Sequence, residues 1–165
     1  MRPDPIAIHE SGHAVAAWLL GAQTVVAWPD PVPSLRASAA GLCYYTGVGD
    51  ADDAVVALAG MAAERHLLGR VSAAGVYEDD LESAHGSAPT ARAYTLAELK
   101  AAAIVVRHRS AIFALAARMT ARGVVESNDL AEVTGCTPWM RKAARRITEA
   151  VSAAWREHHQ QRSFP

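Results

Sequence analysis

The clearest pattern along the chain is an apolar run that opens after Asp4-Pro5 and closes at Gly21. Aspartate then proline is a helix start: the carboxylate caps free amides, and proline is tolerated at the first helical position. The spacing predicts an amphipathic helix to about Leu20, with Gly21 as its stop. Thr24 to Trp28 reads as a short strand, and Pro29, Pro31 and Pro33 then impose an irregular loop. Glycines bracket a second strand between Gly41 and Gly47.

From Asp50 the pattern turns helical. Asp50 to Asp53 supply caps and first-turn acids for a helix reaching Leu68 and ended by Gly69. Val71 to Val76 is a glycine-containing connector. Tyr77 to His85 is expected as a short helix carrying Glu78, Asp79, Asp80 and Glu82, broken by Gly86 to Pro89. Two longer helices follow, roughly Leu96 to His108 and Ser110 to Arg122, with Gly123 closing the second. The tail holds a helix from Asn128 to Val133, a Gly135 turn and a last helix from Pro138 to about His158. No internal repeat or long linker divides the chain. The expectation is a single domain over 1–165: mainly α (α+β), a helical bundle with a small β-sheet, its chemistry in 5–85 and a C-terminal helical part in 90–165.

Composition sharpens this. Apolar residues make up 51% of the chain but aromatics only 6%, which fits alanine-packed helices better than a β-sandwich. Sixteen basic and seventeen acidic residues leave a formal charge of −1, which argues against nucleic-acid and acidic-lipid partners. Cys43 and Cys136 match no metal or redox spacing and read as two reduced, buried thiols. The N-terminus has no signal-peptide pattern, and the longest apolar stretch, Ala14 to Ala22, is too short to cross a bilayer. The expected location is cytoplasmic.

The chemistry concentrates in the first helix, where His9-Glu10-Ser11-Gly12-His13 is an HExxH pattern. Residues i and i+4 share a helix face, so both imidazoles reach one ion. Glu10, one residue along, is placed to act as base toward a water rather than as a ligand. Gly12 lets another backbone pack closely behind. Chance gives this pattern in roughly 1–2% of chains of this composition. A catalytic zinc wants a third protein ligand and an open position. The acidic cluster Glu78, Asp79, Asp80 and Glu82 is the richest source, and Glu64 is its rival; spacing does not decide between them.

Three segments in order carry a family resemblance. Ile6-Ala7-Ile8-His9-Glu10-Ser11-Gly12-His13-Ala14-Val15 resembles the helix that opens the peptidase domain of FtsH-type AAA proteases. Val56-Ala57-Leu58-Ala59-Gly60-Met61-Ala62-Ala63-Glu64-Arg65 is similar to that family's "GGRxAEE" helix, and Gly75 through Asp79-Asp80-Leu81-Glu82-Ser83-Ala84 to its "TGAxNDLxxAT" segment. The resemblance covers most of 6–85 and continues weakly from Arg109 to Val133. It implies Zn²⁺ held by His9, His13 and Asp80, with Glu10 as catalytic base, and moves Glu64 to a place behind the ligands or in helix packing. It also implies an edge strand that pairs with extended substrate, for which Leu42, Cys43, Tyr44, Tyr45 and Thr46 are the candidates. Ile8, Met61, Arg65 and His66 depart from the family pattern, and no GxxxxGK[ST] motif occurs. The expected activity is therefore that of a zinc metalloendopeptidase acting on short or unstructured polypeptides, or on substrates delivered by a separate partner.

Two other classes compete. Asp129 to Thr137, followed by Arg141, Lys142, Arg145 and Arg146, has the outline of a helix-turn-helix and so of a regulatory, DNA-binding module. Against it, Met140, Ala144, Ile147, Val151 and Trp155 form an apolar stripe better suited to packing or to a homo-oligomer contact. The other alternative is a catalytically silent, metal-stabilised scaffold for a protein partner. An intact Glu10 beside the histidines argues against that one. His66, His85 and His108 read as helix-surface or helix-end residues, and His158-His159 as tail residues that bind metal adventitiously.

Overall fold

Asp4 caps the first helix as the sequence predicts: its carboxylate accepts from the Ile6 N–H at 3.1 Å, and Pro5 is the first helical residue. The computed structural model describes residues 4–29, 41–71, 78–137 and Met140. Among these are six helices and a small three-stranded sheet. The order is α1 (Pro5–Leu19), β1 (Thr24–Trp28), β2 (Leu42–Thr46), α2 (Asp50–Ala63), α3 (Glu78–Ser87), α4 (Ala91–Arg107), α5 (Arg109–Arg122), β3 (Val125–Glu126) and α6 (Ser127–Thr134). Mainly α with a small β element is therefore the observed class. No helix among the described residues is long and apolar enough to cross a membrane.

The sheet is antiparallel in the order β2-β1-β3, so β1 is central and β2 lies at an edge. Val25 pairs with Tyr45 and Ala27 with Cys43, while Val26 pairs with Glu126 on the other side. Alternation along β1 sends Val25 and Ala27 into the core.

Helix α1 departs from the amphipathic expectation. Every residue from Ala7 to Trp18 is buried, so α1 is the central element and has no solvent face over that span. It packs most extensively on α2, with α5 and the sheet covering other sides. Small residues allow the approach: a Cβ added at Gly12 would lie 2.6 Å from the Ala59 carbonyl oxygen and 2.8 Å from the Ala63 Cβ. Trp18 closes the far end, its indole N–H donating to the Cys136 carbonyl at 2.9 Å. Asp129 holds α6 to α5 by accepting from Arg122 at 2.7 Å and Arg118 at 3.2 Å.

Several boundaries differ from the sequence reading. Helix α4 starts at Ala91 instead of Leu96, because Thr90 accepts from the Ala93 N–H at 3.2 Å and caps a polar first turn with no apolar period to betray it. Helix α3 runs through Gly86 to Ser87, since one glycine costs a helix only about 1 kcal/mol. Helix α2 continues as a π-helical turn, Glu64–Leu68, before Gly69 stops the chain with φ of 70°. Strand β3, two residues long, is too short to leave a sequence signature. The expected helix over 138–158 and most of the 71–76 connector lie outside the described residues, as do Pro31 and Pro33.

Neighbouring positions on α1 make a test of this packing. Gly12→Ala should lower stability by about 1–3 kcal/mol, because backbone contact outweighs the gain in helix propensity. Ser11→Ala should have the opposite sign, raising stability by about 1 kcal/mol, because the buried Ser11 hydroxyl has no hydrogen-bond partner among the described residues. Urea unfolding of the two variants reads both.

Candidate metal centre

The i,i+4 spacing delivers what α1 promised. His9 Nε2 and His13 Nε2 lie 2.8 Å apart, and Asp80 Oδ2 on α3 lies 3.0 Å from the first and 3.2 Å from the second. The histidines are 2% and 5% exposed, and the Asp80 side chain is partly open to a cleft.

The other ring nitrogens fix the chemistry. His13 Nδ1–H donates to the Val56 carbonyl at 2.7 Å, and His9 Nδ1–H donates to Glu64 Oε1 at 2.9 Å. A carbonyl oxygen only accepts, so His13 carries a proton on Nδ1, and both Nε2 atoms are left facing the Asp80 carboxylate. This pairing of a ligating imidazole with a carboxylate or carbonyl behind it is characteristic of metal sites. Zinc bonds of about 2.0–2.1 Å set tetrahedral edges of about 3.3 Å, close to the triangle formed here. Of the two candidates for third ligand, Asp80 joins the histidines, while Glu64 is fully buried and sits behind His9.

Two glycines that the motif reading undervalued shape the site. A Cβ on Gly60 would lie 2.5 Å from His9 Nε2 and closer still to His13 Nε2, which is the space a shared ion needs. A Cβ on Gly41 would lie 2.5 Å from Glu10 Oε1, so Gly41 leaves room for the base. Their signal was present: glycine inside a helix, or at a strand end, marks a close approach.

Beside the triad is a cleft of about 210 Å³ lined by Glu10, Gly41, Cys43, Tyr45, Asp79 and Ser83 together with the ligands. Of the five residues expected to meet substrate, Leu42, Cys43 and Tyr45 line it, and Tyr44 and Thr46 do not. Tyr44 is 55% exposed. Burial pushes the Cys43 thiol well up, and the Glu10 and Asp80 charges push it further, so it stays a neutral thiol. Both cysteines are free and half-buried, less enclosed than expected. His66 lies away from the cleft, beside Leu67, Arg109 and Phe113, and His85 stacks on Tyr94 with ring centres 4.7 Å apart. His108 joins α4 to α5. Residues after α6 that would complete a helix-turn-helix lie outside the described residues, as do His158 and His159. No protein-family model matches the chain, and no curated protein shows significant similarity to it.

Protonation follows from the same crowding. Burial opposes charge on His13, but the Asp80 carboxylate, then Glu10 and the Val56 carbonyl, outweigh it and raise the pKa from 6.5 to about 9. Burial likewise disfavours charge on Asp80, yet His13 and His9 hold its carboxyl well below the usual range. Burial raises the Glu10 carboxyl, and the opposing histidine charges do not cancel the effect.

Two predictions follow from this geometry. In metal-free protein the raised His13 contributes stability that is complete below about pH 6.5 and lost as pH climbs through about 9. A metal ion held by this triad would have to displace that proton, so its affinity should rise about tenfold per pH unit across the same window. Calorimetry in buffers of different ionisation heat measures the release, and none at pH 7 would contradict the assignment. Gly60→Ala, in turn, should abolish zinc uptake while leaving the helical circular dichroism intact, since the added methyl fills the shared space. Stoichiometric zinc in that variant would show the ion binds elsewhere.

Proposed function

We propose that this chain is a zinc-dependent endopeptidase of the FtsH-type peptidase class, acting on short or unfolded polypeptides. The observation that carries the reading is the convergence of His9, His13 and Asp80 at 2.8–3.2 Å, with Glu10 opening onto the same cleft. A purely structural zinc site has four protein ligands and no use for a buried base beside an open side.

His9, His13 and Asp80 hold the ion, and Glu64 and the Val56 carbonyl orient the two imidazoles. When bound, zinc supplies Lewis acidity toward the scissile carbonyl and the attacking water. Glu10 takes the proton from that water and returns it to the leaving amine nitrogen. Its burial suits the task, because a carboxyl raised from its ordinary value accepts a proton and keeps it until the amine departs. Strand β2 forms one wall of the cleft and, among the described residues, lies at an edge of its sheet, so an extended peptide is recognised there by main-chain pairing, with Leu42, Cys43 and Tyr45 lining the cleft. Recognition of that kind reads the backbone and tolerates varied side chains.

Purified protein should carry about one zinc per chain and cleave an unfolded, fluorescently quenched polypeptide. Glu10→Gln should keep the zinc and lose activity by about 10²–10⁴-fold, and His13→Ala should lose both. Zinc-loaded Glu10→Gln that cleaves as well as wild type would sink the mechanism. A zinc-loaded wild type that cleaves nothing would hand the site to the scaffold reading.

A further inference from the structure

Helix α3 brings the third ligand, yet apolar burial does little to hold it. Ala84 is its one buried residue, and Leu81 is 36% exposed. What α3 does have is a polar face. Asp80, Ser83 and Ser87 follow the i, i+3, i+7 spacing of a single stripe.

That stripe meets one residue of α2. Asp53 Oδ2 accepts from Ser87 Oγ at 3.2 Å and from Ser83 Oγ at 3.4 Å, while its Oδ1 accepts from the Tyr45 hydroxyl at 2.6 Å. A carboxylate is an acceptor with room for several donors, and three hydroxyls from two elements use that capacity. Tyr45 and Ser83 also line the metal cleft, so these bonds run along its wall.

We propose that Asp53 is the positioning residue for the third metal ligand, its carboxylate seating the α3 stripe that carries Asp80 against α2 and tying it to Tyr45 of β2. This rests on the metal reading of the triad. The Asp53 carboxylate bonds to Tyr45, Ser83 and Ser87, which lie outside the triad, and it acts through the helix it holds. The seating is independent of the ion, because none of the three hydroxyls belongs to the triad.

Two measurements on the full-length chain test this. In metal-free protein, hydrogen exchange over residues 78–87 should quicken in Asp53→Ala and in the double variant Ser83→Ala/Ser87→Ala, with α1 and α2 exchanging as in wild type. Titration with cobalt(II), followed by its visible bands, should show both variants weakened by about 10–100-fold and their bands altered toward those of Asp80→Ala. Asp53→Asn should recover most of the affinity, since its amide oxygen accepts from Tyr45 and its NH₂ donates to the serine oxygens. Wild-type cobalt affinity and bands in Asp53→Ala, or unchanged exchange over α3, would overturn the proposal. A wild-type chain with no cobalt bands would remove the metal reading and with it the positioning role; faster α3 exchange in Asp53→Ala would then make Asp53 a helix anchor alone.

Discussion

Two imidazole nitrogens and one carboxylate oxygen meet at 2.8–3.2 Å where buried histidines of one helix face a cleft. Such a group is stable only around a positive charge, whether a proton or a metal ion. The rest of the centre answers that demand. Glu64 and the Val56 carbonyl bond to the Nδ1 atoms and leave the Nε2 atoms to converge. Gly60 withholds a side chain from the space between them. Where both ring nitrogens of a buried histidine are committed in this way, the ring is held in place and in tautomer before any ion arrives.

The alanine-rich composition takes on a meaning in this light. Ligands on α1 must reach carbonyl and carboxylate partners on α2 and its π-helical extension, so the two helices have to approach closely. Gly12 against Ala59 and Ala63 makes that approach, and bulky side chains at the crossing would hold the axes apart. Small residues bury little area each, so the fold compensates by enclosing α1 on all sides and seating large apolar groups farther out. Trp18, Ile112, Leu115 and Met119 are among those fully buried.

What the sequence disclosed and what it hid divide along physical lines. Caps, prolines and glycines act within a few residues, and the α1, β1, β2 and α5 limits were legible to within a residue. The HExxH spacing is equally local, because one helix places both histidines. Asp80 and Glu64 could not be ranked from spacing, since their distances to His9 depend on how α2 and α3 pack. Once packed, Glu64 faces Nδ1 and Asp80 faces Nε2, and the two carboxylates part company. The burial of α1 on every side was hidden for the same reason: alanines count as apolar but do not say which neighbours will cover them. Asp53 is the sharpest case. As one of three acids in a helix's first turn it looked like a dipole partner, and only the fold brings Ser83, Ser87 and Tyr45 to it.

The three proposed ligands are secured by different forces, and that difference has a consequence for how the proposed centre would work. His9 and His13 are fixed by the hydrophobic core, which yields only when the domain unfolds. Asp80 is fixed by hydrogen bonds on a helix with one buried residue, and those can open locally at much lower cost. A metal bound by all three therefore draws part of its affinity from docking α3, and any weakening of that docking lowers the apparent affinity by the fraction of chains left undocked. The same helix forms a wall of the cleft, and its hydroxyl partner Tyr45 sits on the strand proposed to receive substrate. The helix carrying Asp80 and the strand proposed to receive substrate share the Asp53 carboxylate, so in the proposed mechanism a change at either would be felt at the other. In the proposed centre, where His9 and His13 are held by the core, α3 is the element through which binding at the cleft would reach the ion.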